Sequence, residues 1–150
     1  MKRLHVSLAV SDLDRSIAFY AELFSTQPSV RKDDYAKWQL DDPRVNFSIT
    51  SRGRPSGFDH LGIEAEDTGE LGEVMGRLDA AEGDVLDRGL TTCCYARSDE
   101  AWIRDPDGVT WEAFHTTHAL ETFGVPAKLS APAASEKSEE KACCANEGAA

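Results

Sequence analysis

Hydrophobic and polar residues alternate near the start of the chain. The apolar positions of this stretch are Leu4, Val6, Leu8 and Val10, and the positions between them are His5, Ser7 and Ala9. Because successive side chains of a strand point to opposite faces, the pattern predicts a half-buried β-strand with its apolar face turned inward. His5 is therefore predicted on the face that points away from the apolar side.

A helical period follows this strand. Ser11 is the predicted N-cap, and Asp14 lies in the first turn, where a carboxylate is favoured. The apolar positions of this segment form one stripe, made of Leu13, Ile17, Tyr20 and Phe24. This spacing predicts an amphipathic helix that packs on the apolar side of the first strand. Residues 35–40 and 45–50 predict two further strands, joined by a turn at residues 41–44.

The same order of patterns begins a second time after the polar loop at residues 51–57. The stretch HLGIEAED at residues 60–67 aligns with HVSLAVSD at residues 5–12, so that both copies begin with a histidine. A second helix is predicted over residues 68–80, and a strand, a turn and a strand over residues 102–111. The repeat predicts an α+β fold of two tandem βαβββ modules, with a pair of curved sheets around a metal-binding cleft.

Composition bounds the organisation and the partners of the chain. Its 150 residues suffice for one domain, predicted at residues 2–118 with modules at about 2–50 and 57–115. Residues 119–150 lack an apolar period, and a flexible C-terminal tail is predicted there. The 27 acidic and 16 basic residues give a net charge of −11, which disfavours nucleic acid and anionic membranes as partners. No apolar run has the length of a signal or membrane-spanning segment, so we predict a cytoplasmic protein, either a monomer or a homodimer.

The repeat also singles out a candidate metal site. A single histidine on a strand is more often a polar residue than a ligand, but His5 and His60 occupy equivalent positions of the two modules. Glu112 lies on the last predicted strand, and its equivalent in the first module is Ser48, a poor ligand. Two histidines and one carboxylate are the ligand set of non-haem Fe(II) oxygenases. The remaining histidines, His115 and His118, are expected at the surface after the last strand.

The four cysteines form two adjacent pairs, Cys93-Cys94 and Cys143-Cys144. Such spacing does not suit a disulfide framework, so reduced thiols are expected. Free cysteine is often a small buried apolar residue, but the residues around Cys93 and Cys94 are polar, which favours accessible thiols in an irregular loop. The second pair is predicted to lie on the flexible tail.

Three motifs over residues 2–118 resemble the vicinal oxygen chelate superfamily, the group of glyoxalases, bleomycin-resistance proteins and extradiol dioxygenases. These motifs are the histidine strand starts, the helix opening DLDRSIAFY at residues 12–20, and the ending DPDGVTWE at residues 105–112. Glyoxalases of this superfamily use four protein ligands, so Ser48 argues against their activity. Fosfomycin-resistance thiol transferases share the set of two histidines and one glutamate.

The run DRGLTTCCYA at residues 87–96 resembles the carbon-arsenic bond lyases of arsenic resistance and the cadmium-induced proteins. This resemblance implies that His5, His60 and Glu112 are the catalytic Fe(II) ligands and that Cys93 and Cys94 bind the substrate. The expected activity is Fe(II)- and O2-dependent cleavage of the carbon-arsenic bond of trivalent methyl or aromatic arsenicals, giving inorganic arsenite.

Two other functions fit part of this pattern. A soft-metal sequestering protein induced by cadmium or arsenic uses the thiols but has no need of the triad. A metal-dependent thiol transferase that modifies an antibiotic uses the triad but leaves Cys93 and Cys94 without a role.

Overall fold

The computed structural model describes residues 1–81, 84–93 and 95–119. Its elements follow the order β1 (Arg3–Ala9), α1 (Leu13–Leu23), β2 (Val30–Lys32), β3 (Tyr35–Asp41), β4 (Arg44–Thr50), β5 (Gly57–Glu64), α2 (Thr68–Ala80), β6 (Asp84–Cys93), β7 (Ala96–Arg104) and β8 (Thr110–Ala119). This order contains βαβββ twice, as the repeat predicts. Neither helix in this part of the chain is long and apolar enough to cross a membrane.

The eight strands form a single curved sheet in the order β2-β3-β4-β1-β5-β8-β7-β6. The first strands of the two modules, β1 and β5, pair directly in antiparallel fashion, and each also pairs in parallel with the last strand of its own module. The expected pair of sheets is therefore one continuous sheet, because the two modules join through β1 and β5. β2 and β6 are its two outer strands.

The helix α1 packs against the first module. Its N-cap is Asp12, whose carboxylate accepts a hydrogen bond of 3.0 Å from the backbone N–H of Arg15, so the prediction of Ser11 is wrong by one residue. The reason is that the helix begins at Leu13, and Asp12, directly before it, has the extended backbone from which its carboxylate reaches the first turn. Leu13 and Ile17 lie in a core cluster with the buried residues Ala36, Trp38, Phe47 and Ile49.

The helix α2 repeats this arrangement in the second module. It spans the predicted residues, and Asp67 caps it by accepting a hydrogen bond of 2.8 Å from the backbone N–H of Glu70. Leu71 and Val74 lie in a second core cluster with Ala113 of β8. Each module therefore has its own apolar core on the helix side of the sheet.

The two faces of β1 are buried in the opposite order to the one expected. His5, Ser7 and Ala9 are buried, whereas Leu4 on the apolar face is 48% exposed. On the apolar face Val6, Leu8 and Val10 are partly buried against the first core cluster, whereas the opposite face lies on the inner side of the curved sheet. The prediction that α1 packs on the apolar side of β1 and that His5 lies on the other face is confirmed, but the face with His5 is the more buried one.

Three local features of the sheet differ from the sequence-based expectation. The short strand β2 was not predicted, and His115 and His118 lie within β8 rather than after it. The irregular loop expected before Cys94 is a regular strand, since β6 pairs with β7 as far as Cys93 opposite Ala96. The predicted tail with Cys143-Cys144 lies beyond the described residues.

Candidate metal centre

His5, His60 and Glu112 lie on three neighbouring strands of the sheet. His5 is on β1, His60 on β5 and Glu112 on β8, which are adjacent in the strand order. The strand register places His5 opposite Gly62, and Gly62 opposite Glu112. Because residues that pair across strands share a face, His5 and Glu112 both lie on the cleft face of the sheet. The residue alternation of β5 places His60 on that face as well.

The ligand atoms of these three side chains lie close together. The two Nε2 atoms are 3.2 Å apart, and Oε2 of Glu112 lies 3.5 Å from Nε2 of His60 and 3.8 Å from Nε2 of His5. Neighbouring ligands of an octahedral ion with bonds of about 2.1 Å lie about 3 Å apart. The three atoms therefore surround a space that suits a first-row divalent ion, and all three residues are at most 9% exposed.

Gly62 lets these strands approach each other. A Cβ atom added at this position lies 2.6 Å from the carbonyl oxygen of Glu112 and 3.3 Å from the Cβ of His5. No side chain fits there without moving the strands that carry the ligands. The sequence alone did not assign this residue, although its equivalent in the first module is a serine.

His5 is oriented by a backbone carbonyl. Its Nδ1 lies 3.0 Å from the carbonyl oxygen of Asn46, and its ring contacts Phe114 edge-on at 5.2 Å. Because a carbonyl only accepts hydrogen bonds, Nδ1 carries the proton and Nε2 presents its lone pair to the cleft. Burial lowers the pKa of His5 despite the opposing charge of Glu112, so this histidine is neutral and ready to act as a ligand.

His60 is oriented by its sequence neighbour, Asp59. Oδ2 of Asp59 lies 3.1 Å from Nδ1 of His60, and Arg54 forms an ion pair with the same carboxylate. Burial disfavours charge on His60, but hydrogen bonds to Asp59 and Glu112 outweigh it and raise the pKa of His60 to about 9. Burial also opposes charge on Asp59, yet its contacts with His60 and Arg54 lower its pKa. Asp59 thus orients His60 through Nδ1, the ring nitrogen opposite the proposed ligand atom. Its sequence position alone did not assign it this role.

Three other polar side chains near the site in the sequence or in the repeat have hydrogen-bond partners of their own. The Ser48 hydroxyl donates a hydrogen bond of 3.1 Å to the hydroxyl of Ser7, and the carboxylate of Glu64 accepts one of 2.7 Å from Gln39. Nδ1 of His115 lies 3.1 Å from the carbonyl oxygen of Ala65, outside the cleft. Within the described part of the chain, His5, His60 and Glu112 form the group of three that could hold a metal ion.

The structure places the cysteine pair only in part. The backbone of Cys93 ends β6 opposite Ala96, so a tight connection joins β6 to β7. Tyr95 in this connection has a positive φ of 63°. Cys94 lies outside the described residues, and the role of both thiols stays a prediction.

Comparison with known proteins identifies relatives over nearly the whole chain. The model of the Glyoxalase/Bleomycin resistance protein/Dioxygenase superfamily matches residues 2–113. The chain is 38% identical over 162 residues to a trivalent organoarsenical cleaving enzyme of Bacillus sp. strain MD1, covering 96% of this chain and 99% of the relative. It is 33% identical over 148 residues to the cadmium-induced protein CadI of Mycobacterium tuberculosis, covering 96% of this chain and 93% of that protein.

A solved structure shows the same fold. An extradiol ring-cleaving dioxygenase from B. fuscum superposes with a TM-score of 0.59 at 17% sequence identity, covering 79% of this chain and 34% of that chain. The likeness lies in the curved sheet and its helices.

Proposed function

The chain belongs to the Glyoxalase/Bleomycin resistance protein/Dioxygenase superfamily, and from that premise we propose that it cleaves the carbon-arsenic bond of trivalent organoarsenicals. In the proposed reaction on a methyl arsenical, one O2 oxidises the methyl group, which leaves as formaldehyde, and the arsenic, still trivalent, is released as inorganic arsenite, so that all atoms of the substrate and of O2 appear in these two products. One observation carries the proposal: the ligand atoms of three buried residues lie close together on the cleft face, those of His5, His60 and Glu112. The name of the relative from Bacillus supports the choice of substrate.

We propose Fe(II) as the ion held by His5, His60 and Glu112. Two imidazoles and one carboxylate are the donor set that suits non-haem iron, and they leave further positions open for other ligands. When bound, Fe(II) supplies the activation of O2. The chain's own contribution is to present one lone pair from each histidine, which Asn46 and Asp59 orient through the opposite ring nitrogens.

We assign substrate binding to Cys93 and Cys94. A trivalent arsenical with one organic group has two exchangeable oxygens, so two thiolates are the matching number of soft ligands. Held at two points, the arsenic loses most of its rotational freedom, which favours one orientation of the carbon-arsenic bond. The proposed substrate is a small cytoplasmic molecule rather than a macromolecule.

One observation favours a second candidate function, the sequestration of soft metals. The relative from Mycobacterium tuberculosis is named for its induction by cadmium, and it covers as much of this chain as the relative from Bacillus. A sequestering protein needs the thiols alone. It gives no reason for the buried triad and its supporting contacts, so we place it second.

The deciding experiment measures arsenite released from trivalent methyl and phenyl arsenicals by the Fe(II)-loaded protein, with and without O2. We expect release only with O2. Glu112→Gln should abolish release because a neutral amide is a weak ligand, whereas Glu64→Gln, on neighbouring β5, should release arsenite like the parent. Cys93→Ser and Cys94→Ser should lose arsenical binding but keep Fe(II) affinity. Tight arsenical binding by the parent without any O2-dependent release would establish sequestration instead.

A further inference from the structure

Tyr95, the residue directly after the cysteine pair, contacts the first module. It lies in the connection between β6 and β7, and its hydroxyl donates a hydrogen bond of 2.7 Å to Oδ1 of Asp34. Asp34 lies in the turn between β2 and β3. Since β2 and β6 are the two outer strands, this contact joins opposite ends of the curved sheet.

Asp34 is itself held by a two-point ion pair. Nε of Arg52 donates to Oδ2 of Asp34 at 2.7 Å, and Nη2 donates to Oδ1 at 3.0 Å. Two parallel charged hydrogen bonds fix the plane of the carboxylate as well as its position. The Arg52 contacts also lower the pKa of Asp34, so that it is ionised at neutral pH and accepts the hydrogen bond from Tyr95.

The ring of Tyr95 also contacts side chains of the first module. The guanidinium carbon of Arg52 lies 5.1 Å from the ring centroid, and Nζ of Lys32 lies 5.2 Å from it. The ring of Tyr35 approaches at 5.8 Å between centroids. These are favourable cation–π and aromatic distances.

The backbone of Tyr95 shows why such support is needed. Its φ of 63° lies in the left-handed region, which residues other than glycine rarely adopt. A residue keeps such a conformation only where its surroundings hold it there. The same conformation determines the path of the chain immediately after Cys93-Cys94.

We propose that Tyr95, Asp34 and Arg52 are positioning residues that hold the Cys93-Cys94 connection in the geometry that binds an arsenical. We call these three residues the clasp. The inference rests on the proposed function, because it assumes that Cys93 and Cys94 bind arsenic. A chelate needs both thiols in place at once, so a loosened connection weakens binding while leaving the metal ligands untouched.

The test uses the full chain with Cys143→Ser and Cys144→Ser, so that the tail thiols do not contribute. Binding of a trivalent phenyl arsenical and of Fe(II) is measured by titration for Tyr95→Phe, Asp34→Asn and their combination. Asp33→Asn, an exposed acid in the same turn, is the matched control. We expect the arsenical Kd to rise about three- to tenfold in Tyr95→Phe and Asp34→Asn, the range for the net contribution of one ordinary hydrogen bond.

Two further readouts separate positioning from general stability. Fe(II) affinity should stay at the parent value in every variant. The arsenical affinity of the double variant should be no weaker than that of the poorer single variant, since both changes act on the same hydrogen bond: Tyr95→Phe removes its donor and Asp34→Asn removes the charge of its acceptor. An unchanged or tighter arsenical Kd in Tyr95→Phe, or an equal loss of Fe(II) affinity, overturns the clasp. A parent that binds no arsenical overturns the proposed function, and the inference with it.

Discussion

At the scale of single residues, Gly62 sets how closely the ligand strands pack. The carbonyl oxygen of Glu112 and the Cβ of His5 both lie against the hydrogen that glycine has in place of a side chain. Moving either strand displaces a proposed ligand, because Glu112 and His5 are themselves the residues that a side chain would meet. The packing of the backbone and the spacing of the ligands are thus determined together.

Gly62→Ala is therefore expected to damage both stability and metal binding. The added methyl should lower the free energy of unfolding by about 1–3 kcal/mol, the usual cost of overpacking. Chemical denaturation and Fe(II) titration measure the two effects. Gly72→Ala is the control, since nothing lies within 4 Å of a Cβ there, and alanine in an exposed helix should add up to about 1 kcal/mol of stability. Unchanged Fe(II) affinity in Gly62→Ala would contradict this account.

The three candidate ligands were predictable from the sequence, but the residues that support them were not. His5 and His60 stand out because a repeat places them at equivalent positions, and Glu112 follows a recognisable turn. Gly62 acts through its neighbours on other strands, and Asp59 acts through the direction of its side chain. Neither property is visible in a residue's own identity, so their roles required the structure.

At the scale of elements, the first helix shows that a shift of one residue in the helix start decides which side chain is the N-cap. Asp12 and Ser11 are both good capping residues, and both are exposed in the structure. Only the Asp12 carboxylate accepts the N–H of Arg15. The two residues therefore offer a paired measurement of what the observed cap contributes.

Asp12→Ala should lower the free energy of unfolding by about 1 kcal/mol, as loss of a capping side chain usually does. Ser11→Ala should change it by less than about 0.5 kcal/mol, as is usual at an exposed site. Urea denaturation of both variants checks this prediction. A larger loss from Ser11→Ala than from Asp12→Ala would restore the cap predicted from the sequence.

Long elements with a clear hydrophobic period were predictable from the sequence, whereas the short strand β2 and the extended end of β6 were not. The bounds of α2 follow directly from its apolar stripe and its capping aspartate. β2 has three residues, too few to show alternation. β6 was expected to become irregular near its glycine and threonines, but pairing with β7 keeps it extended to Cys93. Tertiary pairing outweighed local preference there.

At the scale of the whole molecule, the proposed metal site joins the two modules. His5 comes from the first module, while His60 and Glu112 come from the second. An ion bound by all three stabilises the folded chain relative to the unfolded chain, in which these ligands are separated. Metal binding should therefore raise the free energy of global unfolding.

Fe(II) should accordingly raise the melting temperature of the parent under anaerobic conditions. Free Fe(II) at about 100 times its Kd should add about 2.7 kcal/mol to the free energy of unfolding. His60→Ala should show no such gain, whereas Ser48→Ala, its control on the same face of the sheet, should gain as much as the parent. Calorimetric melts at several Fe(II) concentrations test this, and a similar gain in His60→Ala would argue against the triad.

The overall architecture was predictable as two modules but not as one sheet. A repeat shows that a unit occurs twice, yet it does not show how the units join. Here the joint is the antiparallel pairing of β1 with β5, which depends on contacts between segments far apart in the chain. The two modules were therefore predicted correctly, whereas the strand pairing that joins them was not predicted.

The hydroxyl pair of Ser7 and Ser48 has an electrostatic consequence. The strand register makes Ser48 the equivalent of Glu112 in the first module, so the cleft carries one carboxylate where twofold symmetry would allow two. A bound metal requires His60 to give up the proton that its raised pKa favours, and with both histidines then neutral a divalent cation would keep one uncompensated positive charge. Such a centre attracts an electron-rich or anionic ligand more strongly than a neutral centre with two carboxylates does. Because Ser48 is uncharged, the remaining positive charge of a bound ion would be available to attract its next ligand.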